Sequence, residues 1–132
     1  HLHCAGHYAF ADYGDNPYLK VHNNTLRRDT DHPAARLDSQ GEGQPGFEFK
    51  NNITYTYSGQ GSLTPDANKN LVINHSMDGT VFANPGGGNY HLKTGSPAID
   101  AGLDLGYEYD IEGTAVPQGD SPDIGAFEYP QE

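Results

Sequence analysis

Three short segments of this chain echo one another, and the echo limits the fold more than any other feature. They are Leu19-Lys20-Val21-His22-Asn23-Asn24-Thr25-Leu26, Phe47-Glu48-Phe49-Lys50-Asn51-Asn52-Ile53-Thr54 and Leu71-Val72-Ile73-Asn74-His75-Ser76. Each is a β-favouring run that reaches Asn, and Asn23, Asn51 and Asn74 lie 28 and 23 residues apart. One circuit of a solenoid uses a repeat of about this length. The spacing predicts stacked parallel strands rather than two thick layers.

Strand alternation then sorts the faces. Val21, Phe49 and Val72 are expected to form one inward column, and Asn23, Asn51 and Asn74 the next. An inward Asn at a corner can bond the backbone and the Asn of the neighbouring coil, which satisfies buried polar groups. Lys20, His22, Asn24, Glu48, Lys50 and Asn52 are expected outside. Leu71 and Ile73 also fall outside in this register, and their apolar character predicts a cover supplied by the C-terminal segment. Residues 29–46 and 58–70 are rich in turn formers and read as loop excursions.

Composition agrees with a thin core. Hydrophobic residues are 34% and mean hydropathy is -0.75, while 17 Gly and 9 Pro favour short strands and many turns. The 9 Tyr and 5 Phe are too many for a disordered chain. A net charge of -11 argues against nucleic acid as a partner, because phosphate contacts need a basic surface. No apolar stretch reaches membrane-spanning length. The single Cys4 excludes an internal disulfide and a multi-Cys zinc site, and its context reads as a buried free thiol. The sequence opens at His1 with no signal peptide, so His1 reads as a processed end or the start of a fragment.

The most specific stretch is the last one. It contains Phe82-Ala83-Asn84-Pro85, Tyr90-His91-Leu92, Ser96-Pro97-Ala98-Ile99-Asp100-Ala101-Gly102, Asp110-Ile111-Glu112-Gly113 and Asp123-Ile124-Gly125-Ala126-Phe127-Glu128-Tyr129. This resembles the closing region of secreted bacterial proteins of the pectate-lyase-like superfamily. Val116 departs from the basic residue common before the proline in such tails. The resemblance implies an all-β, right-handed single-stranded parallel β-helix of about three coils plus a C-terminal closing segment. Residues 1–78 would carry the coils, and 79–132 the final strand and closing segment of the same domain. Tyr90-His91-Leu92 offers the extra strand, and Ala98, Ile99, Ile124 and Phe127 are expected to face inward. Asp100, Asp110 and Asp123 read first as turn and capping carboxylates, with calcium binding as the sharper alternative.

The resemblance also implies an extracellular, carbohydrate-related role with a polysaccharide as partner, either lyase-like or purely binding. A lyase needs a base, a neutraliser for the uronate and a proton donor. Lys20, His22, Arg27 and Lys50 are the candidates for catalysis, with Arg28 beside them. Tyr8, Tyr13, Asn24 and Asn52 are candidates for sugar contact, because rings stack on sugar faces and amides bond hydroxyls. His1, His3 and His7 form a candidate metal cluster for copper or zinc, similar to a histidine brace if His1 is the mature terminus. Of three glycosylation sequons, at Asn23, Asn52 and Asn74, only Asn52 is expected to point outward. A competing reading is a non-catalytic structural or surface subunit. It would self-associate, or bind a partner chain, through an uncapped N-terminal coil.

Overall fold

A computed structural model of the chain describes residues 2–3, 10–12, 20–27, 35–37, 48–56 and 61–130. The described strands are β1 (Leu2–His3), β2 (Phe10–Asp12), β3 (Lys20–His22), β4 (Thr25–Arg27), β5 (Ala35–Leu37), β6 (Glu48–Lys50), β7 (Ile53–Tyr55), β8 (Leu71–Ile73), β9 (Phe82–Asn84) and β10 (Asn89–Leu92). A helical turn, α1 (Asp78–Val81), precedes β9.

Two of the echoing segments fold alike. Each runs a three-residue strand into an Asn at positive φ, 55° for Asn23 and 59° for Asn51, and leaves as a second strand in another sheet. Asn visits this left-handed region more readily than most residues. β3 pairs β6 in parallel, with Lys20 opposite Glu48, Val21 opposite Phe49 and His22 opposite Lys50. Beyond the corners, β4 pairs β7 and β7 pairs β8, again in parallel.

The corners break the period of two. A left-handed residue turns the chain, so the residue after it also points inward. Asn52 is fully buried, and Asn24, Asn52 and Asn70 form the amide ladder instead of Asn23, Asn51 and Asn74. Asn24 N and Nδ2 donate to Asn52 Oδ1 at 3.0 and 3.2 Å. Asn52 N and Nδ2 donate to Asn70 Oδ1 at 3.0 and 3.1 Å. Asn52 Nδ2 also reaches Val21 O at 2.8 Å, and Asn70 Nδ2 reaches Phe49 O at 2.7 Å. Lys69 holds the positive φ before Asn70, at 60°. The third echo is therefore Lys69-Asn70-Leu71-Val72-Ile73, with the strand after the corner rather than before it. Val72 accordingly sits opposite Thr54 and not in line with Val21 and Phe49. Asn74 caps the short 3-10 turn His75–Met77 by accepting from Ser76 N.

The parallel β-helix expectation is overturned. The described strands are two to four residues long and lie in four separate sheets, β1-β4-β7-β8, β2-β5, β3-β6 and an antiparallel β10-β9 pair, none of them closed. The physical reason lies in the shifted third echo. Approached through a turn at 66–69, it supplies β8 to one sheet but no third strand to β3-β6. The chain then folds back as the β9-β10 hairpin and a long stretch of turns.

One cluster of buried side chains joins these parts. Leu26, Ile53, Tyr55, Leu71 and Ile73 pack with Val81, Phe82, Tyr90, Leu92, Ala98 and Ile124, and with the half-buried Ile99 and Phe127 at its margin. Leu71 and Ile73 thus face the core, not outward, and the C-terminal segment does cover them. Burying each such aliphatic side chain contributes about 1.5–3 kcal/mol.

Polar stitches fix the C-terminal segment in place. Asn51 Nδ2 donates to Leu103 O and Asn51 Oδ1 accepts from Leu103 N, both at 2.8 Å. Gly125 N donates to Asn51 O at 2.8 Å, and Ala126 N to Thr25 Oγ1 at 3.2 Å. Gly125 lies at φ 102°, and a Cβ there would stand 2.7 Å from Ile53 Cδ1 and 3.0 Å from Thr25 Oγ1. Only glycine lets the backbone approach this closely. Among the described residues, no helix is long and apolar enough to cross a membrane.

Candidate functional site

Where the C-terminal segment meets the first corner, it leaves a pocket of about 140 Å³. His22 and Asn23 form one side. Tyr107, Tyr109, Asp110 and Ile111 form the rim, and Asp123 and Glu128 lie in the wall. Three carboxylates converge there because each ties loops together. Asp110 Oδ1 accepts from Glu112 N and Thr114 N at 2.8 and 2.9 Å, which closes a turn, and its Oδ2 accepts from Glu128 N at 2.8 Å. Glu128 accepts from Gln118 N at 3.0 Å and from Asp123 N at 3.1 Å. Asp123 accepts from Asp100 N at 2.7 Å and from Tyr129 N at 2.6 Å. The reading of Asp110 and Asp123 as turn and cap carboxylates fits these contacts. Asp100 acts likewise, accepting from Ser121 N at 3.4 Å.

Burial raises the Asp123 carboxyl from 3.8 to about 6, against the opposing pull of its two backbone donors. Glu128 is raised too, first by burial, with the charges of Asp110 and Asp100 adding to it. Every one of these carboxylates already accepts backbone N–H groups. Among the described residues, no group of three or more His, Cys, Asp or Glu side chains is placed to hold a metal ion.

Three of the four residues singled out for catalysis do meet. Lys20 Nζ, Lys50 Nζ and His22 Nε2 surround Glu48 at 3.5, 2.7 and 3.7 Å. Lys50 holds the Glu48 carboxyl below its usual range, chiefly by its hydrogen bond. Both lysines thus face a carboxylate that offsets their charge. Arg27 lies in β4 opposite His3 of β1, known here by backbone alone. His1, His7, Cys4, Tyr8, Tyr13 and Arg28 lie outside the described residues, as do the excursion at 29–46 apart from β5 and residues 58–60 of the one at 58–70.

Of the sugar-contact candidates, Asn24 is half-buried in the ladder. Asn52 is 0% exposed and spends both side-chain atoms on ladder contacts, so it reaches neither ligand nor glycan. The expectation that Asn52 points outward is therefore corrected, for the corner reason given above. Asn74 is buried as anticipated, whereas Asn23 is half-exposed.

Sequence reasoning missed Tyr107 and Tyr109. They are 47% and 63% exposed, and Ile111, two residues on, is 68% exposed. The signal was present in Tyr107-Glu108-Tyr109-Asp110-Ile111, which alternates large apolar and acidic residues with the period of an extended segment. The bridge between Tyr109 and Ala115 holds that extended form. No family model, curated protein or solved structure matches this chain.

Proposed function

We propose that this protein is an extracellular carbohydrate-binding protein that holds a neutral polysaccharide against the Tyr107–Ile111 rim. The observation that carries the reading is a pair of exposed tyrosines beside a pocket walled by hydrogen-bonding carboxylates. Flat rings offer apolar area to the C–H faces of sugars at low entropic cost, and the half-buried Asp110 can accept from a hydroxyl with its remaining lone pairs. The resemblance of residues 82–129 to secreted carbohydrate-related proteins supports the same class, although the fold it implied does not carry over.

Charge selects among polysaccharides. The pocket presents Asp110, Asp123 and Glu128, and the whole chain carries -11. A polyuronate would meet repulsion here. Lys20 and Lys50, the groups a lyase would use to neutralise a uronate, are engaged with Glu48. The binding branch is therefore favoured over lyase chemistry.

Affinity electrophoresis through gels containing neutral glucans, mannans or xylans tests the reading. The wild-type chain should be retarded in at least one of them. Tyr107→Ala and Tyr109→Ala should each weaken retardation by about tenfold in apparent Kd, which corresponds to roughly 1.4 kcal/mol. Retention unchanged in both variants would show that the rim is not the binding surface.

A further inference from the structure

His22 lines the pocket, yet its own side chain is almost wholly covered. Its side chain is only 7% exposed, and its Nε2 is buried with no hydrogen-bond partner among the described residues. That nitrogen faces Glu48 Oε1 at 3.7 Å. The other nitrogen, Nδ1, lies 2.9 Å from the Tyr107 hydroxyl, with the two rings edge to face. Tyr107 in turn opens onto the pocket.

Burial lowers the pKa of His22, against the raising effect of Glu48, so the ring is neutral at pH 7. A neutral imidazole carries one N–H. Placed on Nε2, that proton points toward the Glu48 carboxylate, and Nδ1 is left to accept from the Tyr107 hydroxyl. The imidazole is then hydrogen-bonded to the hydroxyl as a base to its nucleophile, with the Glu48 carboxylate near the far nitrogen but beyond hydrogen-bond distance. A phenol gives up its proton more readily than an alkyl alcohol does.

We infer that Tyr107 is an activated phenol that accepts the acyl group of a neutral ester, with His22, hydrogen-bonded to its hydroxyl, as its base. The electrophile is neutral because Asp110, Asp123 and Glu128 repel anionic phosphoryl, sulfuryl and uronyl groups. In the first step, a bond forms between the Tyr107 oxygen and the acyl carbon. The phenol proton moves to His22 Nδ1, the ester C–O bond breaks with its electron pair on the leaving oxygen, and that oxygen takes the proton from Nδ1 or departs as a stable anion whose proton His22 releases to solvent. In the second step, neutral His22 takes a proton from water as the water oxygen bonds the acyl carbon, the Tyr107 oxygen leaves with its electron pair and takes that proton back, and the free acid departs. The inference does not rest on carbohydrate binding.

The test uses p-nitrophenyl acetate on the whole chain at pH 7, with p-nitrophenolate release followed by absorbance and the acetylated tyrosine located by peptide mass spectrometry. Tyr109 is the internal control, being more exposed than Tyr107. Tyr107 should be acetylated at least about tenfold faster than Tyr109, a modest share of what a positioned base supplies. His22→Gln should abolish that preference, and Tyr107→Phe, which alters only a rim hydroxyl, should remove the fast phase with the fold intact. The groups facing His22 are Glu48, Lys50 and Lys20 from the β3-β6 sheet, Tyr107, and the pocket carboxylates Asp110, Asp123 and Glu128. Because Glu48 raises the His22 pKa, Glu48→Gln should move the acid limb of the acetylation rate to lower pH. Equal labelling of the two tyrosines, a preference that survives His22→Gln, or a fast phase that survives Tyr107→Phe would overturn the inference.

Discussion

Replacing Asn52 by Ala should lower the unfolding free energy by about 3–5 kcal/mol, the loss expected when several buried groups lose their partners at once. Asn52 is fully buried and uses all of its side-chain capacity. Its Nδ2 donates to Val21 O and Asn70 Oδ1, and its Oδ1 accepts twice from Asn24. An alanine leaves Asn24 N and Val21 O without these partners in a region largely shielded from water. It also leaves a small cavity between β3 and β8, which adds to the cost. Asn52→Asp is a sharper probe, because it keeps the volume and the acceptor while removing the donor. It should fall between wild type and Ala at pH 4 and lose more at pH 7, where the new carboxyl ionises. Urea unfolding followed by circular dichroism reads both variants. A loss below about 1 kcal/mol for Asn52→Ala, the level of an exposed substitution, would mean the ladder is not formed.

Stability should also fall as pH rises from about 4 to above 6. Asp123 has a folded-state pKa of about 6 against 3.8 for the free side chain, raised first by burial. An acid raised on folding binds its proton more tightly in the native state. Its stabilising effect is therefore complete below 3.8 and is lost as pH climbs through about 6. Two pKa units correspond to about 3 kcal/mol. Solvent at the pocket mouth screens the charge, so the expected loss is about 1–2 kcal/mol. Glu128 is shifted in the same direction by the same cause and adds to the trend, as does self-repulsion in a chain of net charge -11. The urea midpoint should drop across this window. Asp123→Asn should flatten the drop, although its amide turns a donor toward one of the two backbone N–H groups and costs stability at every pH. A midpoint that climbs steadily from pH 4 to 7 would contradict the burial of Asp123.

The sequence made parts of this structure legible and hid others for identifiable reasons. Ala98, Ile99, Ile124 and Phe127 pack on the core as their motif implied, because Pro97 and Gly125 punctuate the turns that aim them. The echo between residues 19–26 and 47–54 is a true structural repeat, seen in the parallel register of β3 on β6 and β4 on β7. The third echo was misaligned. Leu71-Val72-Ile73 ends in Asn74, as Lys20-Val21-His22 ends in Asn23, yet its role matches that of Ile53-Thr54-Tyr55. The true equivalent of the Asn corner is Lys69, a residue type that carries no signature for positive φ. That slip reversed the faces of Leu71 and Ile73. It also named the wrong asparagines for the ladder, because strict alternation does not survive a left-handed corner. The slip extended the repeat into a helix of coils that the separate sheets do not form.

The pocket was illegible for a different reason. It joins residues 22 and 107 through a contact 85 positions apart in the chain, and only docking of the C-terminal segment on Asn51 and Thr25 creates it. His22 was singled out for its outward place on a strand, yet the segment that covers it supplies its partner. Tyr107 and Tyr109 stood in an alternating run whose exposed face became visible once the opposite face was seen to carry the turn.

Isothermal titration of the wild-type chain with two matched series of oligosaccharides, neutral and uronate, tests the central claim most directly. The account predicts saturable heat with at least one neutral series, absent in the Tyr107→Ala, Tyr109→Ala double variant, and no binding of uronates at low ionic strength. Tight binding of uronates, or neutral-sugar binding that survives in the double variant, would contradict it.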